Sequence, residues 1–282
     1  MSNQLKGITL SATVVTIAVF ILLNAPWPSA QGETYRAPRL PGTDHPDLSG
    51  IWQALGTAHW DVEDHIAQPQ AILEMGAIGA VPAGHGVVDG AIPYQAWAAA
   101  KKRENFQQRM IVDPWNREIG DPEVKCFLPG VPRATYLPFP FQIVQSDNEI
   151  TIAYEFSSST RLIHMTNHQQ PAIDSWMGWS NGRWEGDSLV VDVNGFNGRT
   201  WFDRAGNFHS EALHVVERYT PTTPYHLSYE VTLSDPNVFE RQWTMSMPLY
   251  RRMDENVQVM DFRCLEFVEP LLLGSLSKPG AN

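Results

Sequence analysis

The chain has 282 residues, enough for one large domain with a sizeable core. Hydrophobic residues make up 43% and charged residues 18%, which excludes a mostly disordered chain. Lys and Arg number 20 against 31 Asp and Glu, a net charge of −11. With no basic run, that balance excludes a general nucleic-acid binder.

The first six residues are polar, with Lys6 as their one charged side chain. Residues 8–25 follow as 18 positions without a charge, and Pro26-Trp27-Pro28 breaks the run. An apolar segment with positive charge on its N-terminal side is an export signal. Two readings stay open. Residues 1–30 are a cleaved signal peptide, for which the small residue Ala30 suits the cut and Pro28 does not. Otherwise residues 8–25 are an uncleaved membrane anchor, long enough to span and followed by Trp27 at the interface. Both put residues 31 onward outside the cytoplasm, in the periplasm, either soluble or held at the inner membrane by one N-terminal helix.

Residues 31–120 read as a loop-rich wrapping segment. Residues 31–46 are rich in Pro, Gly and Arg, and residues 68–93 in Gly, Ala and Pro. Pro93, the alanines at 98–100 and the bases Lys101, Lys102, Arg103 and Arg109 predict a helix over 94–109. Residues 121–282 read as an antiparallel β domain. Leu227, Tyr229, Val231 and Leu233 alternate with polar neighbours, as do Trp243, Met245, Met247 and Leu249. Strands are expected at 142–146, 149–156, 161–166, 176–180, 183–192, 214–219, 226–234, 241–250 and 257–267. Asp147-Asn148 and Asn181-Gly182 are expected hairpin turns. The fold class is therefore mainly β. Its expected form is an antiparallel barrel or strongly curved sheet, a lipocalin-like meander, with an irregular N-terminal wrap and one or two short helices.

Cys126 and Cys264 lie 138 residues apart, so there is no C-x-x-C redox or zinc pattern. Outside the cytoplasm they are either a disulfide or two buried thiols. Three segments concentrate groups able to do chemistry. His209-Ser210-Glu211-Ala212-Leu213-His214 offers acid–base groups, with no known zinc spacing and no metal site expected. The stretch from Trp176 through Trp179 to Trp184, Glu185 and Asp187 offers aromatic pocket walls and a carboxylate pair able to raise one pKa. Arg133, ending a Pro- and Gly-rich loop, can anchor a substrate carboxylate or a structural Asp. The expected site has Trp176, Trp179 and Trp184 on one side and His209, Glu211 and His214 on the other.

Asp47-Leu48-Ser49-Gly50-Ile51-Trp52 is one of several familiar motifs. The others are the run from Asp121-Pro122 through Cys126 to Gly130-Val131-Pro132-Arg133, Gly182-Arg183-Trp184-Glu185-Gly186-Asp187-Ser188-Leu189-Val190-Val191-Asp192, and His209-Ser210-Glu211 to Glu217-Arg218-Tyr219. Together they resemble a large group of exported bacterial proteins with no settled activity. The likeness covers nearly all of the chain after residue 30 and implies an exported single-domain protein.

Three classes of function remain. The first is a barrel that binds a small apolar molecule or serves as an accessory protein. The second is an enzyme without a cofactor, a hydrolase, hydratase or isomerase working through His209, Glu211, His214, Glu185 and Asp187. The third is a membrane-anchored subunit of a membrane protein complex.

Overall fold

A computed structural model describes residues 35–68, 80–109 and 119–262. Nine strands close into one barrel in chain order. They are β1 Gly50–Ala54, β2 Phe141–Gln145, β3 Glu149–Tyr154, β4 Thr160–His164, β5 Trp179–Glu185, β6 Ser188–Asn194, β7 His214–Thr223, β8 His226–Ser234 and β9 Trp243–Arg251. Closure depends on β1, which pairs with β2 on one edge and β9 on the other. The expected mainly-β barrel is therefore the fold, and one of its strands comes from the segment expected only to wrap it. Among the described residues two α-helices accompany it, α1 (Ala96–Gln108) and α2 (Arg133–Tyr136).

Three expectations are corrected. The barrel is not a pure antiparallel meander, because β4 and β5 run parallel and residues 165–178 cross between them. Asn181-Gly182 is not a turn: β5 runs straight through it, and the β5–β6 hairpin turns at Gly186 and Asp187. Gly182 is needed there because a Cβ would stand 2.5 Å from Met165 Sδ and 2.6 Å from Ile163 Cγ2. Gly186, at φ +59°, supplies the left-handed turn residue instead. Residues 257–262 form no strand, and the remainder of the expected strand at 257–267 lies outside the described residues. Cys126 is disulfide-bonded, while Cys264 and the apolar run 8–25 lie outside the described residues. Among the described residues no helix is long and apolar enough to cross a membrane.

Period-two alternation sends one set of side chains into the barrel. Trp52, Phe141, Ile143, Ile150, Ile152, Ile163, Val191, Val193, Val215, Leu233 and Leu249 are each at most 1% exposed. These side chains pack against one another in a single core that fills the lumen. Two charged residues share that interior, Arg161 on β4 and Glu217 on β7.

The strand directions define two ends. At one lie the start of β1, the β7–β8 hairpin and the end of β9. Residues 35–49 cross this end. Arg39 pairs with Asp187 at 2.6 Å, His45 stacks on Trp184 at 5.0 Å, and Gln145 bonds both Pro46 and Leu48. At the opposite end, residues 55–66, α1, α2 and the loops before β7 and β9 pack together.

Candidate functional site

The residues expected to form one pocket are held in separate places. Trp179 and Trp184, five apart on β5, stand on opposite faces of the barrel wall. Trp179 stacks on His164 at 4.5 Å, and Trp176 stacks on Phe127 at 4.9 Å. His209 is buried against Phe196 and Phe202. Its Nδ1 donates to the Ser210 carbonyl at 2.8 Å, since a carbonyl only accepts, and its Nε2 then accepts from Thr200 at 2.6 Å. Burial holds its pKa down, opposed by the Ser210 bond and by Asp235, and the ring is neutral. His214 faces outward from β7, with Nε2 3.0 Å from Asp192, and Glu211 is exposed.

The carboxylates are engaged elsewhere. Glu185 is exposed on the outer wall, bonded by Arg218 at 2.5 Å and Arg183 at 2.9 Å, and these bonds lower its pKa. Asp187 secures Arg39. Arg133 is 1% exposed and takes the structural alternative. Its two terminal nitrogens donate to Asp121 at 2.8 and 2.7 Å, and Nη2 also reaches Glu123 at 3.2 Å. Burial alone would lower its pKa, but Asp121 and Glu123 override that and raise it. Among the described residues no three His, Cys, Asp or Glu side chains gather as a metal site.

What the fold does build is a cavity of about 290 Å³ at the end crossed by residues 35–49. Its apolar wall comes from Tyr35, Ala37, Pro38, Leu48, Trp52 and Leu227, and Pro221, Thr223 and Pro224 of the β7–β8 hairpin close one side. Its charged groups are Arg251 and Asp47. Register places Arg251 opposite Trp52, and its guanidinium carbon lies 4.2 Å from the indole centroid. Nε donates to the Pro224 carbonyl at 3.1 Å and Nη1 to the Ser49 carbonyl at 2.8 Å. Gly50 makes room for it: at φ +141° it is a glycine position, and a Cβ there would stand 2.2 Å from Arg251 Nη1. Burial lowers the Arg251 pKa, and the attraction of Asp47 and Tyr35 does not restore it.

Sequence reasoning passed over Arg251, yet a signal was present. The inward set Trp243, Met245, Met247, Leu249 extends by the same period to position 251. A base on the core parity of a strand calls for a partner or a pocket.

A second polar enclave lies at the opposite end. Asp203, fully buried, accepts from the Val62, Ala205 and Asn207 amides and from Asn207 Nδ2 at 2.6 Å. Asn207 Nδ2 also reaches Asp61 at 3.4 Å, and Asn207 Oδ1 accepts from Tyr94 at 3.0 Å. Burial and Asp61 push Asp203 up to about 7. Every carboxylate oxygen of Asp203 is occupied by loop donors, so this enclave fastens loops. No family model matches the chain, and no curated protein matches it.

Proposed function

We propose that the chain is an exported β-barrel binding protein that takes a small ligand at the mouth of its barrel. One observation carries the reading: the interior is packed solid, whereas the mouth holds a cavity of about 290 Å³ with mostly apolar walls. That volume is at the lower end of the range for small-molecule pockets, so the ligand is small. Residues 35–49 form one side of it and are fixed at Asp187, Trp184 and Gln145. Export is supported by Lys6 preceding the uncharged run 8–25.

Titration calorimetry of the full chain against short-chain and single-ring compounds, charged and neutral, tests the site. Binding should occur with the native chain and be lost in Thr223→Trp, which fills the cavity from an exposed hairpin position. Binding that survives Thr223→Trp places the ligand elsewhere, and no binding of any compound overturns the reading. Fractionation of the native host tests export, and recovery only with the cytosol refutes it.

A further inference from the structure

We infer that the ligand of the mouth cavity is a small carboxylate on an apolar ring or short chain, received by Arg251. The inference rests on the reading of the mouth as a ligand site and adds the ligand's chemical class. The starting point is an imbalance of charge. Arg133 and Arg161, the buried arginines among the described residues, are each paired with carboxylates. Arg251 lines a cavity and has no carboxylate within ion-pair distance among the described residues. Its partners among the described residues are two carbonyls and an indole face. They use Nε and one direction of Nη1, leaving Nη2 without a hydrogen-bond partner among the described residues. A planar fork with donors to spare, immobilised on an aromatic ring, is suited to a two-oxygen anion.

The surroundings argue for the rest of the molecule. Tyr35, Ala37, Pro38, Leu48 and Leu227 offer no charge and suit an apolar body. Asp47 sets the count of charges. Its Oδ1 accepts from the Ser49 amide at 2.9 Å, and it lines the same cavity without reaching Arg251. It repels an anion, so the site suits a single carboxylate at the Arg251 side and disfavours a dianion spread across the cavity. Gly50 is the positional requirement: any side chain there collides with Nη1 and pushes the fork out of place.

The test compares carboxylates with their neutral isosteres on the native full chain, so it does not depend on a variant folding. Benzoate and hexanoate are titrated beside benzamide and hexanamide. The carboxylates are expected to bind at least tenfold more tightly, Arg251→Gln to reduce them to the level of the amides, and Asp47→Asn to tighten them. Equal binding of acids and amides overturns the anion assignment while leaving the mouth as the ligand site. Failure of all four to bind overturns both readings. A carboxylate preference retained in Arg251→Gln assigns the anion to another group and also overturns the inference.

Discussion

Glu217 is the acceptor on which the inside of the barrel converges. Arg161 donates to it through both terminal nitrogens, and Tyr219 and Tyr229 donate to Oε1 at 2.9 and 2.6 Å. Arg161 Nε is satisfied by Ser180 at 2.8 Å. Both ions are nearly inaccessible to water, so neither can recover hydration if the other is removed. Glu217→Gln is expected to destabilise the fold by about 3–5 kcal/mol, because it strands the Arg161 cation and leaves an amide among donors. Arg161→Met should cost less on that background than on the native chain, since the stranded cation is then gone. Urea denaturation of the four species checks this, and strictly additive costs would sink it. Adjacent residues on a strand face opposite ways, so Arg218 meets Glu185 outside while Glu217 meets Arg161 within. Parity showed which residue faces in, but the partner on β4 is 56 positions away and no local pattern names it.

Strands were legible where alternation was clean. β8 and the expected strand at 226–234 coincide, and β9 departs from 241–250 by two residues at its start and one at its end. The same logic failed at β5, because Asn-Gly is a turn signal only when its glycine is chosen for φ. Here the glycine is chosen for distance: β4 packs parallel beside it, with Met165 and Ile163 where a side chain would go. A parallel neighbour supplied by a 165–178 crossover leaves no trace in a period-two reading. β1 was missed because it is five residues long and isolated from the other strands by the wrapping segment. The two glycines of this region are required for different reasons. Gly182→Ala should destabilise by about 1–3 kcal/mol through overpacking. Gly186→Ala meets no atom within 4 Å and should cost about 1 kcal/mol from its left-handed backbone alone. Equilibrium denaturation compares them, and a neutral Gly182→Ala would contradict the close packing of Met165 and Ile163 on this glycine. The candidate site failed to assemble for a related reason: its groups were chosen by chemical density along the chain, and strand parity then divided them between faces.

At the scale of the molecule, the two ends of the barrel carry different electrostatics, and the loop-filled end governs the response to pH. Burial lowers His59 to about 3, with Arg204 and Arg133 adding to the effect, while burial and Asp61 raise Asp203 to about 7. For His59 the folded value is below the ordinary 6.5, so the unfolded chain binds the extra proton between pH 3 and 6.5. Stability from this group therefore falls as pH drops through that window. For Asp203 the folded value is above the ordinary 3.8, so the folded chain holds the extra proton between pH 3.8 and about 7. Stability from this group falls as pH rises through that window. Each effect is on the order of 4 kcal/mol when complete. Between about pH 4 and 6.5 the two slopes are one proton each and opposite, so they cancel. Glu123, held low by Arg204 and Arg133 against its burial, steepens the loss on the acid side. Asp61, raised chiefly by burial, adds a further loss as pH rises above its ordinary 3.8. Urea midpoints measured from pH 3 to 8 should thus trace a broad maximum near pH 4–6.5, with falling stability on both flanks. His59→Gln removes one of the two slopes, and in that variant stability should decline with rising pH across the former plateau. A native curve that climbs steadily from pH 5 to 8, or a His59→Gln curve that stays flat, contradicts the opposed titration of His59 and Asp203.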